Sequence, residues 1–402
     1  MVEVWFAILS LMLAAYAVLD GWNIGSGIVQ FLVAKSPAER RLVISAIGPL
    51  WTWHEVWLVA SGGVLFVAFP SVLAVALPGF YLAVFVLLWC LIGRGLSLEF
   101  GGHLDDPMWR TFWDVAFAVV NLLIAVLLGA ALGNLIRGVP IGASGKFTLA
   151  FFTNFRTGAE VGILDWYTLS IAVFTVFCVA AHGASYLAWR TEGAVRHRSL
   201  PLARKLWLAV FVLMPAITVA TAVVRPQMFT DMARRPLAWL GVAAAIAGSI
   251  AVVTGQRRGQ ERLAFLGGCG FMVGLLGAAA ASVFPVMLHS TFGSAYSVTA
   301  QAGAAGGPGL GLALVWWPVA LILSVAYAVL VSRPSEARCG WLRRARPEVL
   351  ARPRRICADR QLARAVSAGP GPSTSGSSQR TRGCASTRAW RRPCRTGGSC
   401  RC

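Results

Sequence analysis

About nine stretches of roughly twenty consecutive apolar residues recur along the chain, and nothing else in the sequence constrains the fold as much. A run of that length crosses the hydrocarbon core of a bilayer as a helix. In lipid only a helix or a closed barrel satisfies every backbone N–H and C=O internally. The runs lie at roughly 4–28, 51–70, 79–98, 112–132, 166–189, 206–224, 237–253, 263–284 and 310–331. They predict an all-α polytopic membrane protein with about nine transmembrane helices. With 57% apolar and 13% charged residues, the chain has too little charge to clothe a soluble domain of 402 residues. The first run has no basic leader before it, so it reads as a span rather than a cleaved signal.

The net charge of +20 resembles a nucleic-acid signature only until it is located. Most of it lies after residue 332, on arginines with no lysine and no periodic aromatic residues to stack bases. Nucleic acid is therefore excluded as a partner. The chain divides into a transmembrane helical domain, 1–332, and a basic tail, 333–402. The tail is dense in Arg, Pro, Ser, Gly and Cys without helical or strand periodicity, and it is predicted to be disordered. A polybasic segment of this kind would lie on anionic lipid. The abrupt composition also matches a GC-rich gene translated out of frame, and that non-native reading is preferred. Ending the chain after Ser332 is accordingly expected to leave assembly intact, and loss of the protein from the membrane would overturn that expectation. Cys90, Cys178 and Cys269 sit singly in apolar runs, and the tail cysteines have no metal-ligand spacing. Alternate loops differ about twofold in Lys and Arg, which predicts an outward N-terminus and a cytoplasmic C-terminus. The outer loop 133–165 is the longest and is expected to carry a short interfacial helix.

Ionisable residues inside spans are rare and usually functional. "LDGWNIGSG" places Asp20 and Asn23 one turn apart on one helix face. "WTWHEVW" brings Trp51, Thr52, His54, Glu55 and Trp57 into the start of the second span. Arg94 and Glu99 in "RGLSLEF" are spaced to pair near an interface. Asp114 is expected to anchor the boundary of the fourth span, and His182 in "AAHGASYL" reads as an interior histidine at a helix-packing site. Asp20 and Glu55 border apolar runs joined by a short loop. They are the groups expected to pass protons through water, since burial raises a carboxylate's proton affinity. No nucleophile motif, phosphate loop or metal spacing is present, so no catalytic or metal residue is assigned.

These clusters, with "AERRLVISAIGPLWTWHEVWLVASGGVLFVAFP", "GFYLAV", "ALGNLIRGVP" and "HGASYLAWRTEG", resemble subunit II of the cytochrome bd family of quinol oxidases, in order and spacing. The resemblance is close over about residues 10–200 and looser beyond. It implies a nine-helix subunit, pseudo-symmetric with a larger subunit I, in a bacterial inner-membrane complex that oxidises quinol and reduces dioxygen to water. It further implies that haems b and d belong to subunit I and that this subunit stabilises the complex. A quinone, membrane lipid and a small accessory subunit are further expected partners. The family's commonest motifs read "DGFDLG" and "WDGNEVW". Asp20, Trp51, Glu55 and Trp57 match them, whereas Asn23 and Thr52 stand where aspartates are usual, and His54 where asparagine is. Thr52 can bond water but cannot change charge at neutral pH; His54 can take that role. The implied proton path is thus Asp20, Thr52, His54 and Glu55.

Two other classes compete. A proton-coupled transporter would show inverted repeats and helices interrupted at the midplane. A haem-binding subunit would use His54, His182 or His289, which lie on separate segments.

Overall fold

The computed structural model describes residues 1–48, 51–158, 161–306 and 309–332, so the expectations for the tail lie outside the described residues. Thirteen helices follow in order: α1 Val2–Val33, α2 Pro37–Ile47, α3 Trp51–Ala68, α4 Pro70–Gly79, α5 Tyr81–Phe100, α6 Pro107–Arg137, α7 Trp166–Arg190, α8 Gly193–Val224, α9 Gln227–Ala233, α10 Pro236–Arg258, α11 Glu261–Val283, α12 Ala300–Gly303 and α13 Gly309–Ser332. Among the described residues eight helices are long and apolar enough to cross a membrane, or up to nine if α2 and α3 count as one bent span. Strands β1 Val286–Leu288 and β2 Val298–Thr299 pair antiparallel in the α11–α13 connection. The chain is a polytopic all-α membrane protein with one small ribbon in a loop.

Several helices outrun the apolar runs that predict them. α1 has 32 residues, about 48 Å of helix, against a core of about 30 Å. α8 begins at Gly193 and carries the basic segment before residue 206 as helix, with Pro201 and Pro215 inside it. Polar caps set where helices start. Ser36 and Glu39 form a reciprocal capping box on α2, with Pro37 in its first turn. Asp106 caps α6 and Asp165 caps α7. The Glu39 carboxylate also receives both Arg198 guanidinium nitrogens, at 2.8 and 3.0 Å. Those hydrogen bonds, with the Lys35 backbone N–H, hold its pKa down at about 2. They fasten α2, an amphipathic helix, against the start of α8.

Lipid tails are as apolar as leucine, so helices associate here through close packing rather than apolar burial. α7 is the most enclosed span and packs on α1, α6 and α8. Its contact with α1 is backbone on backbone. A Cβ on Gly25 would fall 1.8 Å from the Val179 carbonyl oxygen, and one on Gly183 would fall 2.3 Å from Gly25 C. α10 and α11 form the most extensive pair, with Gly241, Gly248 and Gly255 set against the α11 backbone in the same manner.

The long loop between α6 and α7 departs from expectation. Beyond Arg137 its described residues form no helix; Pro140, Gly142, Gly145, Gly158 and Gly162 interrupt any helical run. Ile163 and Leu164 instead donate to the Ala150 and Phe151 carbonyls at 2.8 and 3.0 Å. Arg137, at the end of α6, pins the loop. It pairs with Asp165, donates to the Gly162 carbonyl at 3.1 Å and reaches Asn134 Oδ1 at 2.6 Å. The short helices off the spans are α4, α9 and α12, with α2 either a fourth or the first limb of the bent α2–α3 span.

Candidate functional site

α1 places Asp20 and Asn23 on one face by its 3.6-residue period, and α3 and α5 close over that face. Arg94 of α5 reaches across to it. One guanidinium nitrogen donates to Asp20 Oδ2 at 2.7 Å and another to Glu55 Oε1 at 2.5 Å. The Arg94 and Asp20 side chains are 1% and 0% accessible, while Glu55 is 24% accessible. One cation therefore bridges two carboxylates brought from separate helices. Such a cluster is costly to form in lipid unless every charge has a partner.

The expected Arg94–Glu99 pair does not form. Five residues advance about 140° round a helix beyond a full turn, so the two leave α5 on different sides. Glu99 is exposed, while Arg94 is buried. Nor is Arg94 a snorkelling interfacial charge. Asp114 forms an ion pair with Arg40 at 2.6 Å, so it holds α2 to α6 as well as marking a boundary.

His54 is fully buried beside this triad. Asn23 Nδ2 lies 3.2 Å from Asp20 Oδ1 and 2.6 Å from His54 Nδ1. The carboxylate accepts, so the amide NH₂ faces it. The ring nitrogen meeting the same NH₂ must accept too, which leaves the imidazole proton on Nε2. Two departures from the family's usual motifs, Asn23 and His54, therefore contact each other directly. Thr52 stands apart. It is exposed and about 200° round α3 from His54. Trp57 crosses Trp53 edge to face at 6.0 Å, and Trp51 lies against Gly95 of α5.

His54 and His182 do not fit a haem. The Trp22 indole meets the His54 ring edge-on at 4.8 Å, and Phe265 stacks on His182 at 5.0 Å, so aromatic side chains occupy the space a macrocycle would need. His182 is fully buried and sits against Gly21 and Gly268, at a close packing point of α7 with α1 and α11. His289 follows β1, where burial and the Arg225 charge hold its imidazole below the usual range. No group of three His, Cys, Asp or Glu that could hold a metal occurs among the described residues.

Sequence reasoning missed Gln30 and Arg40. Gln30 had a signal: it continues the Asp20–Asn23 face of α1 at helical spacing. Arg40 had none, because its partner Asp114 is remote in sequence.

Residues 1–333 match the sequence model of the family described as cytochrome bd terminal oxidase subunit II. The probable cytochrome oxidase subunit 2 of Haemophilus influenzae is 26% identical over 81% of this chain and 92% of that protein. The cytochrome bd ubiquinol oxidase subunit 2 of Bacillus subtilis is 28% identical over 76% and 86%. The cytochrome bd-I ubiquinol oxidase subunit 2 of Escherichia coli is 31% identical over about half of each chain. A chain of the bd oxidase structure from Geobacillus thermodenitrificans superposes with a TM-score of 0.63 at 18% identity, covering 83% of this chain and 97% of that one.

Proposed function

The chain belongs to the cytochrome bd terminal oxidase subunit II family, and we propose that it serves such an oxidase as the accessory subunit that stabilises a larger haem-bearing subunit I and contributes a proton path to it. In this reading the complex oxidises quinol and reduces dioxygen to water. The haems, b and d, reside in the partner, quinone is the partner's substrate, and this chain is inactive alone. A bacterial inner membrane is its place, with the N-terminus outside and the α2 end facing the cytoplasm.

The observation that carries the proposal is the buried Asp20–Arg94–Glu55 triad with His54 against it. Two carboxylates share one guanidinium, so a single fixed cation balances only one of them. The other is a group that can take up and release a proton. Glu55 suits that role because its carboxylate is the partly accessible one. A partly accessible carboxylate on a span needs a polar neighbour rather than lipid, and the partner subunit would supply it. His54, beside the triad with its Nδ1 against the Asn23 amide, would relay a proton only by first taking one up as imidazolium and then releasing one, which returns it to the neutral ring. Against the transporter, the spans α1, α5 to α8, α10 and α11 run unbroken among the described residues.

Two measurements test this. Gentle purification of the tagged chain should bring down a larger haem-bearing partner with quinol-dependent oxygen uptake; a colourless, solitary chain from cells that make the partner would refute it. In the assembled oxidase, Glu55→Gln should slow oxygen uptake by about tenfold or more at unchanged haem content, a barrier higher by about 1.4 kcal/mol or more. Unchanged turnover would remove Glu55 from the path.

A further inference from the structure

A polar seam continues from the triad toward the α2 end. Asp20, Asn23, Gly27 and Gln30 of α1 follow at spacings of three, four and three residues, which keeps them within about 80° of arc. All four are buried. Gly27 lacks a side chain where Asn121 of α6 needs the space: a Cβ there would lie 2.4 Å from Asn121 Nδ2. The Asn121 amide thus fills the step between Asn23 and Gln30, which are about 10 Å apart along the axis. Next to it, Gln30 Nε2 donates to the Asp114 carbonyl at 2.5 Å. The Asp114 carboxylate holds Arg40 at 2.6 Å, with both side chains 12% accessible.

Three primary amides therefore stand in file, each with its NH₂ spent on a protein acceptor. Asn23 donates to Asp20 at 3.2 Å, Asn121 to the Phe117 carbonyl at 2.7 Å, and Gln30 as above. Each also keeps a buried carbonyl oxygen with no hydrogen-bond partner among the described residues. A set built only to join helices would spend those oxygens on one another. Oxygens so placed are the usual partners of buried water.

We infer that Gln30, Asn121 and Asn23 order a file of water running from a mouth at the Arg40–Asp114 pair to the Asp20–Arg94–Glu55 triad, and that protons enter along it. The inference rests on the proton-path reading above and adds the inlet. Each water accepts a proton from the mouth side and releases one toward Asp20, so no charge is left behind. An amide oxygen orients the water without capturing the proton, as a carboxylate would.

The test is made in the assembled oxidase, with haem content, quinol-dependent oxygen uptake, and the ratio of rates in H₂O and D₂O as readouts. Gln30→Met and Asn121→Leu keep side-chain volume and remove the acceptor oxygen. Each is expected to slow uptake by about tenfold, a barrier about 1.4 kcal/mol higher, and to raise the isotope ratio. In variants that keep their haem, a merely structural role would lower the rate with no change in the isotope ratio, and that result overturns the inference. So do wild-type rates in both variants. Glu55→Gln, measured beside them, separates the two readings. If it slows turnover while the amide variants do not, protons reach the triad by another way and only the inlet fails. If it too is without effect, the proton path fails with it. Should the core variants not assemble, Asp114→Asn at the partly accessible mouth is expected to slow uptake and raise the ratio, and its failure to do so overturns the inlet.

Discussion

Arg94→Met is expected to abolish accumulation of the assembled complex, the largest effect of any single side chain here. The substitution leaves Asp20 and Glu55 facing each other across α1 and α3 without their shared cation. Breaking a buried pair by removing one partner costs about 3–5 kcal/mol, because the remaining charge stays buried. Whole domains are stable by only about 5–15 kcal/mol. Arg94→Lys should rescue in part. A guanidinium reaches both carboxylates through separate nitrogens, whereas one ammonium on a flexible stem cannot hold both at short distance. The triple variant Arg94→Met, Asp20→Asn, Glu55→Gln should assemble better than Arg94→Met alone, since it removes the orphaned charges together with their partner. Haem per membrane protein and the thermal midpoint in detergent measure each case. Arg94→Met at wild-type levels, or a triple variant no better than the single, would show that the triad does not hold α1, α3 and α5 together.

That cross-helix triad marks the boundary of what the sequence makes legible. The spans were readable because lipid leaves the backbone no other choice, and because each run is long enough to average out local ambiguity. The α1 polar face was readable for the same reason the spans were: Asp20 and Asn23 obey a local period. The partner of Arg94 was not readable. Asp20 lies 74 residues away and Glu55 39, and only tertiary packing sets which of several nearby carboxylates it meets. Local reasoning chose Glu99, the nearest acidic residue, and the helical period excludes it. Thr52 and His54 show the same limit in reverse. Adjacent in a motif, they project to opposite sides of α3, one exposed and one fully buried. The α6–α7 loop misled differently. Its length suggested a helix, while its glycines and the Arg137–Asp165 pair fold it as an extended, pinned segment.

Gly183→Val should prevent assembly as completely as loss of Arg94, for a reason that involves no charge. At this point α7 and α1 touch through their main chains. A Cβ on Gly183 would stand 2.3 Å from Gly25 C and from Ser26 N, distances that no rotamer relieves because both atoms are backbone. Overpacking a close-packed site costs about 1–3 kcal/mol when side chains can move, and more when a helix must. Here the helix that must move is α1, whose displacement would carry Asp20 and Asn23 away from Arg94 and His54. The control is Gly277→Ala in α11, where an added Cβ meets nothing within 4 Å. Ala favours helix over Gly by about 0.5–1 kcal/mol, so that variant should assemble at or above the wild-type level. Because lipid gives apolar side chains no reason to prefer protein over membrane, separation of the two helices would not be resisted by burial as it is in water. Gly183→Val that assembles fully, with normal haem content and thermal midpoint, would mean that α1 and α7 do not meet at this point in the native complex.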